Sequence, residues 1–289
     1  MISAKGLVFD SVSTFEMLLT REEDSPLVVQ LFGNDPSYLS RAISILKDKG
    51  FWLFDLNAGC PVKKVTRTGA GAALLRDTHV LLRILESMVR EAGEGRVGVK
   101  MRLGWDSSSL TCLEVARELE SLGVGWVTLH PRFAREGFAG KARWEYIKEM
   151  KSLTTVPVIA SGDLFSAEDG IRCVKETGAD SVMFARGALR NPAIFREYIL
   201  LMRGHCFFRE RQELLRERVS MIRSHLELLK ETYGRDRCTI YRLRSILARY
   251  IRGFPSSRLL RERAVQIVTW EDVESLLKEM EALIWVRRS

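Results

Sequence analysis

The segment Asp55-Leu-Asn-Ala-Gly-Cys-Pro61 holds the densest set of groups able to do chemistry. An apolar run ends there in a carboxylate and an amide, turns on Gly59 and delivers Cys60, with Lys63 and Lys64 just beyond. A thiol exposed beside cations can serve as a nucleophile or a proton donor. Cys112 and Cys173 lack such surroundings and read as inert core residues. Val99-Lys100-Met-Arg102 puts two cations on one strand face, because alternate residues share a face. Two such cations call for a negative partner, supplied by an anionic cofactor ring or a phosphate. Ser161-Gly-Asp163 and Ala185-Arg-Gly187 close two further runs, and small residues plus Arg at these ends match a phosphate-binding corner. His130 ends another run, which favours a place on the same rim. Thr68-Gly-Ala-Gly-Ala-Ala-Leu-Leu75 lacks the P-loop pattern and reads as a loop entering a helix. No Ser/His/Asp spacing points to a hydrolase.

These groups need elements to position them. Six short apolar runs begin near Leu27, Trp52, Val97, Trp126, Val156 and Ser181, and each reads as a strand. Helical patterns lie between or after them, over Pro36–Lys49, Thr78–Glu91, Leu110–Leu122 and Ala167–Thr177. This alternation predicts a parallel sheet with crossover helices. Gln30, Asn57, Lys100, Arg102, His130, Ser161 and Arg186 fall at or just past the strand ends, and polar groups on every strand suit a TIM-type (β/α)8 barrel better than an open sheet. Beyond Phe195 the strand pattern stops. Arg209–Lys230, Thr239–Ile251 and Glu271–Ile284 read as helices, with a turn over Gly253–Ser257. The expected division is a barrel over residues 1–199 and an all-helical domain over 200–289.

Charge supports that division. The 289 residues carry a formal +8. Residues 196–289 hold 20 basic against 13 acidic residues, and nine arginines between Arg235 and Arg263 face only Asp236 and Glu262. A neutral body joined to a basic module suggests an anionic macromolecular partner. No run nears the roughly 18 apolar residues of a membrane span, so no membrane partner is expected. Five cysteines without a CxxC pair give neither a disulfide framework nor a zinc site. No metal is expected, and a reducing cytoplasm is the simplest location.

With these motifs in order, the chain resembles the tRNA-dihydrouridine synthases. The resemblance rests on Asn57-Ala-Gly-Cys-Pro61, the Gly-Ala-Gly loop, Lys100-Met-Arg-Leu-Gly104, His130, Ser161-Gly-Asp163 and Ala185-Arg-Gly187. It implies an FMN-binding barrel and a helical tRNA-binding domain, with NADPH as reductant. The implied reaction takes a hydride from FMN to C6 of a tRNA uridine and a proton from Cys60 to C5. By the same resemblance Gln30, Lys100, His130, Ser161, Gly162, Asp163, Ala185 and Arg186 hold FMN. Asn57, Arg102, Lys63, Lys64, Arg242, Arg244 and Arg249 then meet the substrate. Three departures stand out. Ser161 replaces a common Asn, Arg143 replaces a common acidic residue, and the family's first strand–helix unit with most of the second strand is missing before Met1. The last implies weak FMN binding or low stability of the chain alone. Two other readings remain: an RNA-binding remnant without catalysis, and a flavin barrel that reduces a free pyrimidine.

Overall fold

The computed structural model describes residues 1–205 and 210–285, the last without its side chain. Cys206, and Arg209 at the expected start of a helix, lie outside the described residues. The chain divides into two compact units, Met1–Asp163 with Arg172–Met183, and Leu164–Ile171 with Phe184–Ser289.

The first unit is built on a parallel sheet of seven strands that pair in chain order, the order of a β/α barrel. They are β1 (Ile2–Ser3), β2 (Val28–Phe32), β3 (Leu53–Ala58), β4 (Val97–Arg102), β5 (Trp126–His130), β6 (Val158–Ser161) and β7 (Ser181–Met183). All six expected strands are present. β1 is additional: two residues are too few to show alternation, and it pairs as Ile2↔Leu31.

Alternation explains what each face of the sheet does. Val29, Leu31, Phe54, Leu56, Val97, Val99, Met101, Val127, Leu129 and Val158 are buried on one face. The helix Thr78–Ala92 packs on β3 and β4, and Glu145–Leu153 on β6. Each fully buried Leu, Ile or Val contributes about 1.5–3 kcal/mol by leaving water. The opposite face carries Gln30, Asp55, Asn57, Lys100, Arg102, Thr128, His130 and Ser161, aligned by the registers Gln30↔Asp55, Asn57↔Lys100↔Thr128 and Arg102↔His130. A sheet with a greasy outside and a polar inside is arranged to hold something other than its own core.

Local signals start the helices. Asp35 Oδ1 accepts from Ser37 N at 2.8 Å, with Pro36 in the first turn, and Asp77 Oδ1 accepts from Val80 N at 3.1 Å. Such caps satisfy N–H groups that a helix start leaves without partners. The expected helix over 110–122 is two short ones, Thr111–Glu114 and Ala116–Ser121. Glu145–Leu153, Ile194–Met202 and Ser257–Ala264 are helices that the sequence reading lacked.

The second unit contains the long helix Arg211–Tyr233 and the helices Arg237–Tyr250, Ser257–Ala264 and Trp270–Trp285. Leu215, Val219, Ile222, Leu226 and Leu229 follow a helical repeat and bury one stripe against Leu243, Leu247, Leu276 and Met280. Among the described residues no helix is long and apolar enough to cross a membrane.

One glycine shows how tightly the inner face is filled. A Cβ on Gly98 would lie 2.0 Å from the Trp126 ring, its partner in register. Gly98→Ala should therefore lower the unfolding free energy by about 2 kcal/mol through overpacking. Urea unfolding measures this, and an unchanged midpoint contradicts that packing.

Candidate active site

Asn57 organises the turn at the end of β3. Its Oδ1 accepts from Gly59 N at 3.2 Å and Cys60 N at 2.9 Å, and its Nδ2 donates to Gln30 Oε1 at 2.8 Å. Gln30 in turn donates to Asp55 Oδ2 at 2.6 Å. One amide thus ties β2 to the turn that carries the thiol. The glycine-rich loop closes on the same turn: Ala72 N donates to the Cys60 carbonyl at 3.0 Å. A Cβ on Gly71, whose φ is +63°, would stand 2.8 Å from that carbonyl oxygen. The loop is therefore a brace, and Gly71 allows its close approach. Cys60 is left half-buried.

The inner-face cations differ in their partners. Arg102 is 2% exposed. Its Nε donates to the Gly59 carbonyl at 2.9 Å, and its Nη1 to the carbonyls of Phe133 at 3.1 Å and Gly137 at 2.7 Å. Burial, then the neighbouring Arg132, brings its guanidinium down to about 10, while Cys60 and Glu136 pull the other way. Lys100 makes no hydrogen bond or ion pair among the described residues. Burial pushes its ammonium below the usual lysine range, opposed by the charge of Asp55 and, more weakly, by Cys60. Asp55 is pushed up to about 6 by burial, against the Gln30 hydrogen bond and Lys100. Asp55 supplies part of the counter-charge, and its Oδ1 is buried with no hydrogen-bond partner among the described residues.

His130 and Asp163 are joined by a residue the sequence reading did not single out. Arg132 Nη1 lies 3.0 Å from His130 Nε2, and Nη2 lies 2.6 Å from Asp163 Oδ2. Asp163, at φ +55°, also accepts from Ala142 N at 2.8 Å. Removing one partner of such a buried pair typically costs about 3–5 kcal/mol. Gly162 lies close against the imidazole edge: a Cβ there would lie 2.8 Å from His130 Cδ2. Ser161 ends β6 and is buried.

Lys63 and Lys64 are exposed on the short helix after Cys60. The remaining candidates lie in the second unit. Ala185 is exposed, and Arg186 stacks on the Phe165 ring at 5.0 Å. Arg242 is exposed and stacks on Tyr233 at 4.5 Å, and Arg249 is exposed. Arg244 has a structural attachment, with Nε donating to the Ile267 carbonyl at 2.6 Å. Arg143 pairs with Glu136 and covers the Phe133 ring at 4.8 Å, so the chain itself balances this departure. Cys112 and Cys173 are fully buried, and burial pushes the Cys112 thiol up to about 12.

Thr128 on the inner face of β5 and Arg132 just beyond that strand are the groups that motif reading missed. The position of Arg132 two residues after His130 could have flagged it. Thr128 Oγ1 is buried without a hydrogen-bond partner among the described residues. Nor does His130 Nδ1 make a hydrogen bond among the described residues. Unsatisfied polar groups of this kind carry a desolvation penalty of about 1–3 kcal/mol each unless a ligand satisfies them.

A family model described as Dihydrouridine synthase (Dus) matches residues 1–284. A protein of Synechocystis sp. named "Probable tRNA-dihydrouridine synthase 1" is 36% identical over 259 residues, 89% of this chain and 71% of that one. The "tRNA-dihydrouridine synthase B" of Pasteurella multocida is 33% identical over 263 residues, 91% of this chain and 78% of that one. Among solved structures, morphinone reductase is similar with a TM-score of 0.45 and 18% identity, over 60% of this chain and 50% of that one.

The His130 environment has a measurable consequence for stability. Burial, then Arg102, Lys100 and Arg132, push its imidazole down to about 3, whereas an unfolded histidine titrates near about 6.5. Between those values the folded chain binds less proton at this site than the unfolded chain, so stability is lost as pH falls through the window. Asp55 acts in the opposite sense below about 6, but equally in wild type and variant. His130→Gln should flatten the loss of stability between about pH 6.5 and 5, by up to about 1.4 kcal/mol per pH unit. Parallel pH series from urea unfolding would contradict this.

Proposed function

We propose, from the premise that this chain belongs to the dihydrouridine synthase family, that it reduces tRNA uridines to 5,6-dihydrouridine with FMN, NADPH and the Cys60 thiol. The observation that carries the reading is the Asn57-clasped turn. It holds Cys60 at the end of β3 beside the two inner-face cations, whose charge states it influences.

The residues present fit a flavin. Lys100 and His130 Nδ1, which make no ion pair or side-chain hydrogen bond among the described residues, are donors that would suit the oxygen and nitrogen acceptors of a flavin. Gln30, Lys100, His130 and Ser161–Asp163 are the groups of the first unit that would hold FMN. Ala185 and Arg186 would serve its phosphate. Lys100 suits the N1/O2 edge, where reduction builds negative charge. FMN, when bound and reduced by NADPH, supplies a hydride for C6 of the uracil.

The chain supplies the rest. Cys60 gives its proton to C5, so one hydride and one proton together saturate the C5–C6 bond, and solvent restores the thiol. Asn57 and Arg102 hold the Cys60 turn from two sides, through the amide and the Gly59 carbonyl. A uridine inside folded tRNA must leave its stack to reach such a site. Lys63, Lys64, Arg242, Arg244 and Arg249 would bind the phosphates that present it. Residues 1–199 then act as the catalytic body and 200–289 as the RNA module, in the cytoplasm where tRNA is processed.

Cys60→Ala should lower dihydrouridine formation on tRNA by about 10²- to 10⁴-fold, the usual worth of a placed acid, with flavin content unchanged. Full activity in that variant would refute the assignment, and equal turnover of free uridine would refute the tRNA substrate. Arg249→Ala should weaken tRNA binding and reduce the slope of log K against log salt by about 1. An unchanged slope would remove Arg249 from the interface.

A further inference from the structure

Arg132 is 1% exposed and its donors point in three directions. Nε and Nη2 donate to the carbonyls of Ala139 at 3.1 Å and Gly140 at 2.8 Å. Nη2 also meets Asp163 Oδ2 at 2.6 Å, and Nη1 meets His130 Nε2 at 3.0 Å. A guanidinium has no acceptor, so the hydrogen in the last contact belongs to Nη1 and His130 Nε2 accepts it. A ring that accepts at Nε2 is neutral and carries its own hydrogen on Nδ1.

We propose that Arg132 is a positioning residue for the reaction: anchored by Asp163 and two loop carbonyls, it fixes His130 as the neutral Nδ1–H tautomer, leaving that N–H as a donor to a carbonyl oxygen of a bound ring. The inference rests on the proposed function above for the identity of the rings, flavin or uracil. It does not rest on that reading for the tautomer.

The surroundings of the imidazole enforce the same state. Lys100 and Arg102 face it from β4, Arg132 stands beyond its own strand, and among the described residues Asp163 after β6 is the carboxylate acting on it. Three cations against one carboxylate, in a ring 7% exposed, disfavour an imidazolium. Gly162 closes the Cδ2 edge, and the Phe138 ring lies 6.1 Å away between centroids. With Nε2 taken by Arg132, Nδ1 is the nitrogen left without a hydrogen bond among the described residues. Asp163 thus also reaches the ring through Arg132, by holding the guanidinium that meets Nε2.

The test is histidine ¹⁵N NMR on the full-length chain. It carries four histidines, and His130→Gln identifies the resonance of interest. Wild type should show His130 neutral, with hydrogen on Nδ1, at every pH between about 5 and 8. Arg132→Met removes the donor and should release the tautomer or raise the titration midpoint by about one pH unit or more. Arg132→Lys, which retains a donor, should restore the wild-type state. An Nε2–H or charged ring in wild type at neutral pH overturns the proposal without recourse to any variant. So does an Arg132→Met protein that folds and keeps the wild-type tautomer. Adding FMN, and then tRNA, separates the two acceptors: a shift of Nδ1–H on the first addition points to the flavin, and on the second to the uracil. No shift on either addition overturns the donor role. Failure to make dihydrouridine would sink the proposed function and leave the tautomer result standing.

Discussion

The amide of Asn57 is the interaction on which the site depends. It sits at the last inward position of β3, and both of its ends are engaged. Its oxygen collects the N–H groups of Gly59 and Cys60, and its nitrogen reaches Gln30 on the neighbouring strand. Arg102 grips the same turn through the Gly59 carbonyl, and the loop at Gly71 closes over its far side. A thiol on a free loop would lose much of its effect, because catalysis by a proton donor depends on placement first and acidity second.

That arrangement follows from a broader constraint. Every second residue of β2 to β6 points inward, and a large share of them are polar or charged. Burying such groups is unfavourable unless they are paired. The chain pairs some internally, as in Arg132 with Asp163 and Gln30 with Asp55 and Asn57. Others, Lys100 and His130 Nδ1 above all, make no side-chain hydrogen bond among the described residues. Stability is carried by the opposite face, where aliphatic side chains are covered by helices. The division lets the inner face serve chemistry at the expense of its own satisfaction.

The strands were legible in the sequence because short apolar runs rich in β-branched and aromatic residues are a local property. The motif at Cys60 was legible for a similar reason, since Asn57, Gly59 and Cys60 act within one turn. The role of Arg132 was not, nor was the bond between Gln30 and Asp55, because these arise from loop closure and from register between strands. Arg132 is drawn inward by Asp163, 31 residues away. Asp163 was grouped with flavin contacts from its motif, and the structure shows its Oδ2 engaged by Arg132 and Ala142 N. Helices such as Glu145–Leu153 were passed over because nine residues that start without a side-chain cap give few boundary signals.

The most direct test is a double-mutant cycle on dihydrouridine formation with Asn57→Ala and Cys60→Ala, each alone and together. If the amide works by placing the sulfur, the double variant is no slower than Cys60→Ala, because nothing remains to be placed. If the two losses multiply, Asn57 acts independently of Cys60, and the clasp described here is not what makes the site competent.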